Sequence, residues 1–261
     1  MSYRGTADDL AGWKEDFLLA CIPEIPSHRE AVNYLQQVAA LYPDQELILG
    51  GHSKGGNLAV YAASLAPHDI QTRIKAVWSN DGPGFQEALI SSEGYKNIAH
   101  AIRTIVPKSS VVGMLLAHEE NHRIVDSSQI GLLQHDGFSW EISGDHFVVI
   151  AELTSGSVKV DRAIRTWLQQ MSMEERKQVV DCLFDVLYAS GATKLSEIRK
   201  DRLRTMIASI SHMKEVPKES RERIIEFLIL LTQSTHRLNI ESKLAKGKKM
   251  LSETILLPHA R

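Results

Sequence analysis

Ser53 stands between two glycines in Gly51-His52-Ser53-Lys54-Gly55, a Gly-x-Ser-x-Gly pattern. That spacing can hold a serine hydroxyl at the apex of a sharp strand-to-helix turn, the nucleophile elbow of acyl-transfer enzymes. The flanking glycines let the two backbones approach where a side chain would clash. A helix N-terminus beneath the serine favours negative charge developing on an oxyanion. Acyl transfer further asks for a base within hydrogen-bond reach, a carboxylate to orient it, and oxyanion donors. The backbone N–H of Lys54, the residue after the serine, is expected to be one donor. The Lys54 side chain admits two readings. It is a cation that favours an anionic substrate or lowers the serine pKa, or it snorkels to solvent from the helix.

The chain order expected around such an elbow is serine, acid, histidine. Asp81, in Asn80-Asp81-Gly82-Pro83-Gly84, ends the strand expected after the elbow helix, so it projects at the carboxyl edge of the sheet near Ser53. It is the acid chosen, against the plainer reading of an Asp-Gly turn residue. Asp126 and Asp136 are the other carboxylates in range. The base must be found among 11 histidines. His52, inside the pattern, is expected to point away from the site; His135 and His146 (in Gly144-Asp145-His146-Phe147) remain. His118-Glu119-Glu120-Asn121-His122 is a literal zinc-peptidase pattern that needs a long helix and a third ligand, for which Glu141 is the candidate. It runs instead into Arg123-Ile124-Val125, a β-type run, and no metal is assigned. Gly50–Gly56 is not a phosphate loop, because its lysine follows the serine.

These residues need elements to position them. Glu46-Leu47-Ile48-Leu49 reads as the strand entering the elbow and Asn57–Ala63 as the helix leaving it. Ile74–Ser79, Ala101–Val106 (stopped by Pro107), His122–Val125 and Phe138–Ile142 read as further strands, with a helical pattern over 83–100. Alternation of this kind predicts an α/β fold, hydrolase-like, with a mostly parallel sheet. From about residue 158 the pattern turns helical, over Val160–Gln170, Met173–Tyr188, Lys194–Ser211 and Lys218–Gln233. Ser172 with Glu174 and Glu175 caps one of these, Gly191 stops it, and Pro217 opens another. Lys243, Lys246, Lys248 and Lys249 mark a mildly basic tail, read as a solvated face. The organisation expected is a core over 1–157 and a helical extension over 158–261.

Composition narrows the function classes. With 261 residues, 43% hydrophobic, the chain can bury an ordinary core. A net charge of -2 gives no electrostatic case for nucleic acid. Cys21 and Cys182 lie far apart and suit a reducing cytoplasm better than a disulfide framework. No apolar run is long enough to span a bilayer and no signal peptide is evident, so the expected location is cytoplasmic. Peripheral membrane contact and oligomeric state stay open.

Four segments together carry a family likeness: Tyr3-Arg4-Gly5-Thr6 with Trp13-Lys14-Glu15-Asp16; Gly51–Ala59; Asp81-Gly82-Pro83-Gly84-Phe85; and Gln134-His135-Asp136-Gly137-Phe138-Ser139-Trp140. In this order they resemble the class 3 (fungal-type) lipases. They are closer still to a bacterial lipase-like (Mbeg-like) family of unknown function, over roughly residues 1–190. The resemblance implies a hydrolase fold, His135 as the base, His146 as its reserve, and Thr6 as the second oxyanion donor through its backbone N–H, with its hydroxyl as a further candidate donor. The alternative for Thr6 is a helix cap before Trp13. Two departures stand out. The usual lipase acid lies one strand later, where this chain has Lys108-Ser109-Ser110. The Arg-Gly-Thr segment also lies at residue 4, without the strands that precede it in lipases, so the expectation is either a truncated start or a sheet completed differently, an opened edge leaving a hydrophobic strand unpaired.

The reading reached is a serine hydrolase, esterase- or lipase-like, cleaving a small-molecule or lipid ester without a cofactor. Ser53 attacks, His135 moves the proton, Asp81 orients it, and Lys54 and Thr6 hold the oxyanion. A catalytically inactive hydrolase-fold interaction protein is the alternative.

Overall fold

The computed structural model describes residues 1–116, 122–129, 131–200, 212–230 and 233. Five strands form one parallel sheet: β1 (Ser2–Tyr3), β2 (Leu47–His52), β3 (Ile74–Asn80), β4 (Ile102–Pro107) and β5 (His122–Val125), in the order β1-β2-β3-β4-β5. Helices α1 (Leu10–Leu18) and α2 (Pro26–Leu41) connect β1 to β2. Helices α3 (Lys54–Leu65) and α4 (His68–Gln71) connect β2 to β3, and α5 (Glu87–Ile90) and α6 (Glu93–Ile98) connect β3 to β4. The protein is thus a mixed α/β structure with a parallel sheet and flanking helices.

An order that advances one strand at a time, with crossovers of one hand, sends every crossover helix to the same face. Helices α2, α3 and α6 accordingly pack side by side, with α3 in the middle and against β2 and β3. Their contact with Leu47, Leu49 and Val77 of the sheet forms the main core, which Leu35 and Tyr95 help to fill. Position in the middle explains why α3 is apolar on all sides and buried from Lys54 to Ser64. The opposite face of β2 is open where Ile48 is 57% exposed.

Toward the carboxyl ends of β3–β5 that second face is covered by the segment 126–150. Trp140 packs there with Ile105 and Val125, flanked by Trp78 and Phe147. The segment holds a two-stranded hairpin, β6 (Ile142–Ser143) with β7 (His146–Phe147). The strand expected over Phe138–Ile142 is therefore corrected. Asp136 accepts a hydrogen bond from Phe138 N and caps a 3-10 turn over Gly137–Ser139, so beyond an isolated bridge at Trp140 the regular strand begins only at Ile142.

Among the described residues, helices α7 (Ser155–Gln169), α8 (Met173–Tyr188) and α9 (Leu195–Lys200) follow, then a helix over 218–230. Ser172 and Glu175 form a reciprocal capping box at the start of α8, and Gly191 (φ 78°) follows its end. Helix α8 packs on α1 through Val180 and Phe184 against Leu10 and Cys21, and Lys14 pairs with Asp181 at 2.7 Å. Most of the helix expected over Lys194–Ser211, and the basic tail, lie outside the described residues. Among the described residues no helix is long and apolar enough to cross a membrane.

Candidate active site

Strand β2 runs into α3 through a single residue, Ser53, with φ 57° and ψ −131°. A non-glycine residue held there stores roughly 1–3 kcal/mol of backbone strain, sustained only where the surroundings over-determine it. The surroundings do so. Ser53 N donates to the Asn80 carbonyl at 2.9 Å, and the Ser53 carbonyl accepts from Gly56 N at 2.9 Å inside the first turn of α3. A Cβ at residue 55 would run into the Tyr3 carbonyl oxygen, so glycine there lets β1 cross the start of α3. The same crossing brings Gly5 to the elbow, where a Cβ would lie 3.6 Å from Ser53 Cβ.

Asp81 lies at the end of β3, 1% exposed and also at positive φ (50°). Its Oδ2 receives His135 Nδ1 at 2.7 Å. Its Oδ1 accepts from Ser110 Oγ at 2.5 Å and from Gly113 N at 3.1 Å. Three donors thus converge on one buried carboxyl group. Donation from Nδ1 to that carboxylate fixes the neutral imidazole tautomer that leaves Nε2 as an acceptor. His135 ends a 3-10 turn over Gly131–His135 and is 30% exposed on its side chain, so a buried acid holds a histidine that faces outward.

Ser53 adjoins this pair through its neighbours. His52 Nε2 bonds to the His135 carbonyl oxygen at 2.6 Å, and the two rings lie 4.6 Å apart. Among the described residues no hydrogen bond reaches the Ser53 hydroxyl. His52 thus directs its Nε2 to the backbone of the His135 turn. It lies on the sheet face that the segment 126–150 covers and holds the turn that carries His135. Burial, and next the nearby His135, push its pKa below the usual histidine value, so it stays neutral and donates from Nε2.

On the other side of Ser53, Thr6 Oγ1 donates to Asp16 Oδ2 at 2.5 Å. The helix cap weighed as the alternative role of Thr6 belongs to Asp9, whose Oδ1 accepts from Gly12 N, and the Thr6 hydroxyl is taken up by Asp16. Lys54 does not snorkel. It is 6% exposed, and its ammonium lies 3.1 Å from the Gly12 carbonyl, 3.2 Å from Glu15 Oε2 and 3.5 Å from Asp16 Oδ1. Burial pushes the Asp16 carboxyl up, against the lowering influence of Thr6 and Lys54.

A family model described as Mbeg1-like matches residues 1–185, most of the chain. The chain belongs to the Mbeg1-like family. No significant match is found among curated proteins or among solved structures. The Mbeg1-like match takes in every residue of the site above, from Thr6 to His135, and ends inside α8.

The other candidates of this Mbeg1-like chain lie elsewhere. His146 is on the exposed hairpin, paired with Asp145. Asp126 pairs with Lys108, and Asp136 is the cap of its own turn. His122 opens β5 rather than continuing a helix, and 118–121 lie outside the described residues. Ser110 and Gly113 as donors to Asp81, and Glu15 and Asp16 as partners of Lys54, were not legible as such in the sequence. The segment Lys108-Ser109-Ser110 carried a signal: where an acid was expected, the chain holds a donor aimed at the acid one strand earlier.

Proposed function

We propose that this chain is a serine hydrolase of carboxylic or lipid esters, with a lipase-like α/β-hydrolase core. The single observation that supports the reading best is the buried Asp81 carboxylate bonded to His135 Nδ1 beside a serine at positive φ. In this reading His135 Nε2 takes the proton from Ser53 Oγ as the oxygen attacks the ester carbonyl carbon. The backbone N–H groups of Lys54 and Thr6 stabilise the oxyanion of the tetrahedral intermediate. Collapse expels the alcohol, which takes the proton from His135, and leaves an acyl group on Ser53. Water, deprotonated by His135, then attacks the acyl carbon; collapse breaks the bond to Ser53 Oγ, which takes the proton back from His135 as the acid is released.

The substrate is a small-molecule or lipid ester, and peripheral contact with a lipid surface fits the open approach to His135. The cytoplasm is the proposed location. Cys21 and Cys182 are both free, and burial holds the Cys21 thiol up at about 11. The test is hydrolysis of a chromogenic p-nitrophenyl ester. The wild type is expected to turn over, Ser53→Ala and His135→Ala to fall to background, and His146→Ala to match the wild type. Activity retained in Ser53→Ala would overturn the assignment of the nucleophile.

A further inference from the structure

We infer that the Lys54 side chain is a positioning residue that holds the two oxyanion donors in register through a buried ion cluster with Glu15 and Asp16. The inference rests on the hydrolase reading and adds a role for the side chain next to the nucleophile. Two backbone segments must supply the donors: residue 54 at the start of α3 and residue 6 after β1. The β1–β2 pairing and the close crossing of β1 over Gly55 bring the two segments together, and side chains beyond them can fix their register.

The cluster supplies that link. Thr6 Oγ1 is bonded to Asp16 Oδ2, and the other oxygen of the same carboxylate faces Lys54 Nζ. Asp16 Oδ1 is a buried atom with no hydrogen bond, so the lysine charge is its compensation. An uncompensated buried carboxylate is costly, which makes the pair strongly interdependent. Glu15 completes the cluster from the same helix and is itself anchored by Ser27, whose N and Oγ both donate to it. Lys54 Nζ donates to the Gly12 carbonyl and to Glu15 Oε2, and lies 3.5 Å from Asp16 Oδ1 as an ion pair. Its charge is thus turned toward protein carboxylates at a side chain only 6% exposed. An apolar residue after the serine would give the same backbone N–H but no tether to residue 6.

A misplacement of about 1 Å at a catalytic group lowers rates by about 100-fold, and loss of an oxyanion donor by about 100- to 1,000-fold. Lys54→Met is expected to lower kcat on a p-nitrophenyl ester by about 10- to 100-fold with KM nearly unchanged. It should weaken an alkyl trifluoromethyl ketone, which forms a tetrahedral adduct on Ser53, by a similar factor. Glu15→Gln, a milder change, should lower kcat in the same sense. Unchanged kcat in both folded variants, or a loss confined to KM, would overturn the inference. A second measurement needs no activity: Lys54→Met and Thr6→Val should be non-additive in urea unfolding. Additive effects overturn the tether whatever the enzyme does. A wild type that hydrolyses no ester, with the two substitutions still non-additive, would instead sink the hydrolase reading and leave the tether standing.

Discussion

At the scale of single residues, the site divides by whether local sequence determines the geometry. Ser53 and Asp81 were legible because each sits where a strand ends, and strand ends can be read from apolar runs and turn residues. His52 was not. Strand alternation tells which face it occupies, but not that a segment 83 residues away returns to that face. Lys54 was ambiguous for the same reason, since its partners Glu15 and Asp16 lie on a helix that only tertiary packing brings beside it. The Asp81–His135 bond makes a definite prediction. Asp81→Asn should keep the fold and lower kcat on a p-nitrophenyl ester by about 10³- to 10⁴-fold, because an amide no longer stabilises the imidazolium or selects the tautomer. A loss under about tenfold would mean that another group orients His135.

At the scale of elements, the strands β2 to β5 were legible from β-type runs bounded by turn residues. The expected strand at 138–142 failed because a local side-chain cap from Asp136 won over β propensity. Helix α2 carries a less visible device. His28, in its first turn, is buried and bonded to Asn57 Oδ1 at 2.8 Å, and its Nδ1 accepts from Ile25 N. Asn57 in turn donates to the Pro83 and Gly84 carbonyls, in the turn that follows Asp81. The imidazole lies flat on Tyr61, with ring centroids 3.7 Å apart. Burial holds the His28 pKa below the usual value. The unfolded chain therefore takes up a proton first as pH falls. Stability from the neutral ring is present above about pH 6.5 and is lost as pH drops toward the folded value. Urea unfolding at pH 7.5 and 5.5 should show the wild type losing more stability than His28→Gln over that interval. Equal losses would mean that His28 is not the titrating group.

At the scale of the whole molecule, the helices after residue 154 brace the site rather than hang from it. Ser157 donates to the Ser110 carbonyl, and Arg165 to those of Met114 and Leu116, so α7 backs the loop that supplies Asp81 with donors. Helix α8 backs α1, which carries Glu15 and Asp16. Helical periodicity revealed these elements in the sequence, but not where they dock, since that depends on contacts distant along the chain. Phe184 is fully packed between α8 and α1, so Phe184→Ala should destabilise the protein by about 3–5 kcal/mol in urea unfolding. A loss under about 1 kcal/mol would show that the two helices are not mutually supporting.

The reactivity of Ser53 itself tests the central claim most directly. A fluorophosphonate probe forms a covalent phosphonyl bond with a serine oxygen activated by a neighbouring base. Peptide mass spectrometry of the labelled, folded protein is expected to place one adduct on Ser53, absent in Ser53→Ala and strongly slowed in His135→Ala. A folded wild type that stays unlabelled, or carries its adduct elsewhere, would contradict the hydrolase account and favour a non-catalytic interaction role for the same fold.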